Sequence, residues 1–350
     1  MILLLDLDGT LIDDRGYRAA IDATVNEICW RRGLPSFPPS DEDVHVLHAH
    51  GFSNEWDSVA FLVGILHLEC RRGSRERPDY QAWTRKTAGL AGLPNERARD
   101  VLLAEAPAEL EPLLRELLDH VTDVGRSEVT RTFAEHILGS HLFARHYGLA
   151  PELNTPSYLA RFDRSLVDEA GVRIIRACDS CIYTARPSLS PDGHPPAHPP
   201  EAEIGLELLG LQDLPLIALG QIQWLADRHG ERLYDLTKPA PVQALAAMLA
   251  SQGARDVDAA SAAYDLWRRG RLSPLFARLR GRRVFVAEDN AGGVRACHGA
   301  AQALNEHGID VHIHGLGIAA APAKRAALAP VCQGLFADIN QALAMIPAPL

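Results

Sequence analysis

The chain has 350 residues, 47% hydrophobic and 23% charged, with a formal net charge of −10. At about 150 residues per domain this suggests two globular units, each able to bury a core, and excludes collagen, coiled coil and a disordered chain. The acidic balance argues against a nucleic-acid surface, and no run approaches the roughly 18 apolar residues of a membrane span. Six scattered cysteines and no apolar leader lead to the expectation of reduced thiols and a cytoplasmic location.

Residues 2–7 form an apolar run that stops at Asp8-Gly9-Thr10, a turn signal, and read as a strand covered on both faces of a parallel sheet. Over 17–33 the period becomes helical, with Tyr17, Ile21, Thr24, Val25 and Ile28 on one stripe and Gly33 and Pro35 as the stop. Similar stripes at 59–68, 110–121 and 129–142 are separated by Arg/Gly/Pro-rich joints at 71–78 and 89–95. They predict an all-helical domain over 15–169 that interrupts something else. Beyond it, 172–177 and 182–184 read as a loop and strand, 201–209 as a helix, 214–219 as a strand and 241–250 as a helix. The segments 284–287, 293–304 and 311–314 follow as strand, helix and last strand. Such alternation means parallel strands, so the first strand belongs with the C-terminal half in an α/β core over 1–14 and 170–350. Two stretches break the rhythm and read as insertions: the Pro/His-rich 188–200 and the Arg-rich 253–283.

Ligands of an open parallel sheet bind beyond the carboxyl ends of its strands. Asp6 and Asp8 stand there, two apart and therefore on one side of extended backbone, with Gly9 permitting close approach. Thr184, then Lys238 in Lys-Pro-Ala-Pro, then Glu288 and Asp289 occupy later strand or helix junctions. Carboxylates gathered from several strand ends repel one another, and burying them unpaired costs on the order of several kcal/mol each. A hard cation such as Mg²⁺ resolves this, because it takes oxygen ligands and leaves positions for water and substrate phosphate. The Thr184 hydroxyl and Lys238 then complete a pocket suited to a dianionic phosphoryl group, with one Asp as nucleophile and the other as proton shuttle. Lysine fills only 3 of 350 positions, so one that precedes Pro, in order between Thr184 and the acidic pair, stands out.

These residues carry a resemblance. Asp6-Leu7-Asp8-Gly9-Thr10-Leu11 resembles the first motif of the haloacid dehalogenase (HAD) superfamily. Thr184 at the end of Cys181-Ile182-Tyr183-Thr184 resembles the second motif, Lys238-Pro239 the third, and Glu288-Asp289-Asn290-Ala291-Gly292 the fourth in its acidic-pair form. The likeness covers roughly 200 residues. It implies a Rossmann-like core, Mg²⁺ as cofactor, Asp6 as nucleophile and Asp8 as general acid/base, with Asp6, Asp8, Glu288 and Asp289 serving the metal. The second Asp is similar to that of the phosphotransferases rather than the dehalogenases. The helical interruption resembles a C1-type cap, enlarged as in a subfamily IA group. A phosphatase acting on a small phosphorylated metabolite is therefore expected, with a phosphomutase or a HAD-derived binding protein as alternatives. Arg186, two past Thr184, is a further candidate phosphate contact. The interval from Lys238 to Asp289 is longer than is usual between the third and fourth motifs, consistent with an insertion at 253–283.

Other signals read more plainly. Cys178 and Cys181 have the spacing of half a zinc site but no second pair, which favours a loop with two thiols. His194 and His198 flank prolines in a loop. His45, His48 and His50 precede the polar and aromatic segment 51–57; within it, a substrate-reading role for His50, Asn54 and Trp56 stands against a simple helix-joining turn. Gly315-Leu316-Gly317 with Ala320 matches a dinucleotide fingerprint formally but leaves too little chain for the unit it requires.

Overall fold

The computed structural model describes residues 1–52 and 54–347; Ser53 of the 51–57 segment and the last three residues of the 170–350 range lie outside them. The chain divides into two units, Met1–Asp14 with Asp163–Leu350, and Arg15–Phe162.

The first unit is an α/β domain. Its strands are β1 (Ile2–Leu5), β2 (Ile12–Asp13), β3 (Arg164–Ser165), β4 (Asp179–Tyr183), β5 (Leu216–Ile217), β6 (Arg282–Glu288), β7 (Val311–Ile318) and β8 (Gly334–Phe336). Six of them form a sheet in the order β5-β4-β1-β6-β7-β8 with every pair parallel. β1 is apolar at every position because both its faces are covered. On one face Ile2, Leu4, Val284 and Val286 pack with the helices Pro241–Ala250, Asp256–Arg269 and Ala291–Glu306; on the other Leu3, Leu5, Ile182 and Ala287 pack with Glu169–Ala177, Glu201–Leu209 and Ile339–Ala344. The chain grows outward from β1 through β4 to β5, then returns to add β6, β7 and β8 on the other side. The order therefore reverses between β1 and β6, which is where an open sheet leaves a crevice. Leu5 lies opposite Ala287, and the Asp6 N–H continues the ladder to the Ala287 carbonyl at 3.1 Å, so the acidic residues after both strands are neighbours.

Four sequence expectations change. Residues 172–177, expected as a loop, are helical: Asp168 caps the helix Glu169–Ala177 by accepting from the Gly171 N–H at 2.7 Å, and Val172, Ile174 and Ile175 supply its apolar face. The stretch 253–283 is not an appendage, because Ala259, Ala260 and Ala263 of the helix Asp256–Arg269 are buried in the same cluster as the helix Pro241–Ala250. The sheet does not end at residue 314; β7 runs on to Ile318, and β8 and the helix Ile339–Ala344 follow. The return from the helical unit falls at Asp163 rather than 170, since β3 already pairs antiparallel with β2.

The second unit contains the helices Arg15–Arg32, Asp41–Ala49, Glu55–Arg71, Tyr80–Lys86, Pro94–Glu105, Glu111–Asp119, Glu128–Leu138, Ser140–Tyr147 and Tyr158–Phe162. Its core is aromatic and aliphatic: Phe52 stacks on Phe61 with centroids 5.3 Å apart, and Phe133, Ile137 and Phe143 are fully buried. Glu55–Arg71 is buried over nearly its whole length, as expected of a helix surrounded by others. No helix among the described residues is long and apolar enough to cross a membrane.

Candidate active site

Asp6 follows β1, and Glu288 and Asp289 end or follow β6, on the two sides of the switch point. Among the described residues these three form the one acidic, His or Cys group whose ligand atoms approach within 4.8 Å of one another. Backbone space makes the approach possible. Gly9 sits at φ +69°, a conformation L side chains rarely adopt, and a Cβ there would collide with Asp289 Oδ2. A Cβ on Gly293, in the first turn of Ala291–Glu306, would overlap Glu288 Oε1. Asn290 caps that helix, its side chain accepting from the Gly292 N–H at 2.7 Å, and so fixes the turn that carries the acidic pair.

Two lysines balance the three carboxylates. Lys238 Nζ donates to Asp6 Oδ1 at 2.9 Å, to Glu288 Oε1 at 2.5 Å and to the Tyr183 carbonyl at 2.8 Å, and lies 3.9 Å from the Tyr183 ring centroid. Lys324, from the helix Pro322–Leu328, donates to Asp289 Oδ2 at 2.5 Å. Each carboxylate thus gives one oxygen to an ammonium, and the second receives no donor; Glu288 Oε2 is buried without a partner. An orphaned buried oxygen beside two more unengaged carboxylate oxygens is a donor set that fits a hard divalent cation. The electrostatics point the same way. Burial raises the Asp6 carboxyl to about 6, Lys238 pulling it down while Asp289 and Asp8 push it up. Burial, then Asp6, drive Glu288 well above the ordinary carboxylate range against the pull of Lys238. Burial disfavours the charge on Lys238, but Asp6 and Glu288 outweigh it and hold its pKa above the usual lysine value.

Asp8 does not join this cluster. Its carboxylate is gripped by Arg186, whose Nε lies 3.0 Å from Oδ1 and 3.2 Å from Oδ2 and whose Nη2 reaches Oδ1 as well. Arg186 has no exposed side-chain surface; its Nη1 donates to Asp163 Oδ2 at 3.1 Å. The expectation that Arg186 contacts phosphate is therefore corrected: its fork is spent inside the protein, where it positions Asp8. Likewise the expected place of the Asp8 side chain among the metal ligands gives way to this ion pair. Asp14 belongs to the same group, its carboxyl raised to about 6 by burial and then by Asp8. Thr184 is buried, and its Oγ1 accepts from the Arg186 N–H at 3.2 Å, which leaves its own proton to donate; its carbonyl accepts from Gln243 Nε2 at 2.6 Å.

Sequence reasoning missed Lys324, Asp14 and Asp163. Lysine scarcity was a usable signal for Lys324; the two aspartates show none, because their importance comes from Arg186, far away in the chain. In the helical unit, His50 Nδ1 pairs with the Val46 carbonyl at 2.9 Å. Asn54 caps Glu55–Arg71 through the Trp56 N–H at 3.0 Å, and Trp56 packs edge-on against Phe133 at 5.0 Å. All three thus have tasks in the helix-joining turn itself. Cys178 and Cys181 are free thiols, and Gly315-Leu316-Gly317 lies inside β7. An open groove of about 810 Å³ lined by Arg283, His298, His312 and Gln333 lies at the amino ends of β6 and β7, away from the carboxylates.

No protein-family model matches this chain, and no curated protein sequence matches it significantly. The fold is similar to solved structures. A structural-genomics target designated ZR25 aligns with a TM-score of 0.66 at 11% identity, over 98% of this chain and 97% of that one. Phosphatase Tt82 from Thermococcus thioreducens aligns with a TM-score of 0.50 at 14% identity, over 98% of each chain. A hydrolase from Pseudomonas syringae aligns at 0.37 and 12% identity, over 98% and 96%, a score that carries no argument. At these identities the likeness is one of fold: an α/β domain with a parallel six-stranded sheet.

Proposed function

We propose that this chain is a Mg²⁺-dependent phosphatase that hydrolyses a small phosphomonoester through an aspartyl-phosphate on Asp6. The observation that carries the reading is the convergence of Asp6, Glu288 and Asp289 at the β1/β6 switch point, with Lys238 between the first two. The fold it shares with the Thermococcus protein, which that protein's name calls a phosphatase, agrees with it. Asp6, Glu288 and Asp289 are the residues that would hold the cation, which when bound supplies positive charge for the phosphoryl oxygens.

Asp6 Oδ attacks phosphorus as the bond to the ester oxygen breaks. The electron pair leaves with that oxygen, and Asp8, which enters this step protonated, delivers the proton that makes it an alcohol and is left as the carboxylate. Asp8 then takes a proton from the water whose oxygen attacks the aspartyl-phosphate; the P–Oδ bond breaks, releasing inorganic phosphate and restoring Asp6. Arg186 keeps the Asp8 carboxylate from turning away, and Thr184 offers its hydroxyl proton to a phosphoryl oxygen. Lys238 holds Asp6 and Glu288 at a fixed separation and offsets their charge.

The test is phosphate release by the purified chain with Mg²⁺ from a panel of sugar phosphates, nucleotides and amino-alcohol phosphates, beside Asp6→Asn. Release that stops on chelation and in the variant supports the reading; no release from any ester overturns it. Equal release by both proteins removes Asp6 as nucleophile, and phosphoryl transfer that needs a bisphosphate and frees little phosphate makes it a mutase.

A further inference from the structure

We infer that Gln243 is a positioning residue that orients the Thr184 hydroxyl for the phosphoryl group, an inference that rests on the phosphatase reading. The sheet does not hold Thr184 by itself. β4 ends at Tyr183; its last pairing with β1 sets Ile182 opposite Leu5, and its last pairing with β5 sets Tyr183 opposite Ile217. Thr184 stands beyond this ladder, joined to β5 by a long bond from its N–H to the Ile217 carbonyl at 3.3 Å. A residue at a strand end frays unless something else fixes it.

Gln243 does the fixing. It lies in the first turn of the helix Pro241–Ala250, fully buried, and its neighbour Val242 packs in the same apolar cluster as Tyr183 and Ile217. Its Nε2 donates to the Thr184 carbonyl at 2.6 Å and to the Ile217 carbonyl at 3.2 Å, so one amide bridges the two strand ends. Both partners are acceptors, which turns the nitrogen toward them and leaves Oε1 buried without a donor. The link to the hydroxyl runs through the next two peptides. The Arg186 N–H, two residues on, donates to Thr184 Oγ1 at 3.2 Å, which engages the oxygen from the backbone side and leaves its proton to donate. Once the Thr184 carbonyl is let go, the peptide that carries it can rotate. The Arg186 N–H then moves off Oγ1, and the hydroxyl loses its orientation. Gln243 thus acts through Thr184 and not on the substrate.

The test is a double-mutant cycle on the full chain: kcat/KM for the best ester of the panel, Mg²⁺ affinity and melting temperature for wild type, Gln243→Met, Thr184→Val and the pair. Gln243→Met exchanges one unpaired buried acceptor, Oε1, for another, the Thr184 carbonyl, so the melting temperature should stay near wild type. Mg²⁺ affinity should stay there too, because the variant touches none of Asp6, Glu288 and Asp289, while kcat/KM should fall about tenfold or more. In the Thr184→Val background the same substitution should change kcat/KM by less than about twofold, because the hydroxyl it acts through is gone. Hydrogen exchange at the Arg186 N–H, which needs no turnover, should quicken in Gln243→Met. Unchanged kcat/KM or unchanged exchange in that variant overturns the inference and leaves the phosphatase reading standing, as does a full further loss on top of Thr184→Val. Wild-type kcat/KM in Thr184→Val overturns it without any Gln243 variant, since no hydroxyl then needs positioning. Failure of Gln243→Met to fold, or a joint fall of kcat/KM, Mg²⁺ affinity and melting temperature, overturns it as the mark of a structural role. A wild type that hydrolyses no ester overturns the phosphatase reading, and this inference with it.

Discussion

Arg186 and Gly9 show how single residues set the site. Arg186 joins Asp8 to Asp163 with no exposed side-chain surface of its own, so removing its charge takes a buried guanidinium away from Asp163, which is 1% exposed. Breaking one side of such a pair costs about 3–5 kcal/mol. Arg186→Met should lower the melting temperature accordingly, whereas Arg186→Lys, which keeps charge but not the fork, should fold and lose kcat with little change in Mg²⁺ affinity. A kcat equal to wild type in Arg186→Lys would show that Asp8 needs no such clamp. Gly9 predicts the reverse division: Gly9→Ala meets both a left-handed φ and the Asp289 carboxylate, so Mg²⁺ affinity by calorimetry should fall about tenfold or more. Six candidate residues, Asp6, Asp8, Thr184, Lys238, Glu288 and Asp289, could be picked out because each follows or ends a recognisable strand or precedes a helix. The partners of Arg186 could not, because a buried ion pair between residues 23 and 178 positions apart leaves no local pattern.

At the scale of elements, the helical unit carries its own pH dependence. His67 on Glu55–Arg71 and His136 on Glu128–Leu138 are buried without hydrogen bonds at His67 Nε2 and at either His136 nitrogen. Burial, then nearby arginine for His67, lowers both from 6.5 to about 4. Between those values the unfolded chain binds protons that the folded one refuses, so stability rises with pH there. The contribution is intact above 6.5 and is lost as pH falls toward 4, by up to a few kcal/mol per histidine. Asp57, raised to about 6 by burial, opposes part of this slope, since its folded form holds a proton that the unfolded form releases above 3.8. Asp6 and Asp14, also raised to about 6, oppose it further, so the histidine share is read as a difference: relative to wild type, His136→Phe should gain stability in denaturant melts as pH falls from 6.5 to 4.5, and a pH-independent difference would exclude His136 as a source. Long helices and the first strand were readable because period and burial agree, as in Arg15–Arg32 and β1. The two-residue strands β2 and β3 were not, since pairing rather than local pattern defines them, whereas β5 falls within the strand read at 214–219.

For the molecule as a whole, the small ribbon of β2 and β3 bears on how the two units are joined in sequence. Asp13 lies opposite Arg164, so Asp14 and Asp163, the last and first residues of the α/β unit around the excursion, are brought side by side. Replacing 15–162 by Asn-Gly matches a two-residue hairpin turn. With apolar clusters on both faces of its sheet, the shortened chain should fold cooperatively and bind Mg²⁺ as the full chain does. Failure to fold would show that the α/β unit depends on the helical one. The two-part organisation was legible from the change of hydrophobic period near residue 15, but the second boundary was not, because the return is marked only by the two-residue strand β3, which its pairing with β2 defines. The central claim is that Asp6 receives the phosphoryl group. It is tested most directly by ¹⁹F NMR of the chain with beryllofluoride and Mg²⁺, beside Asp6→Asn and Asp8→Asn. A bound fluoride resonance in wild type and Asp8→Asn that vanishes in Asp6→Asn is the predicted result; no resonance in wild type, or one that persists in Asp6→Asn, contradicts it.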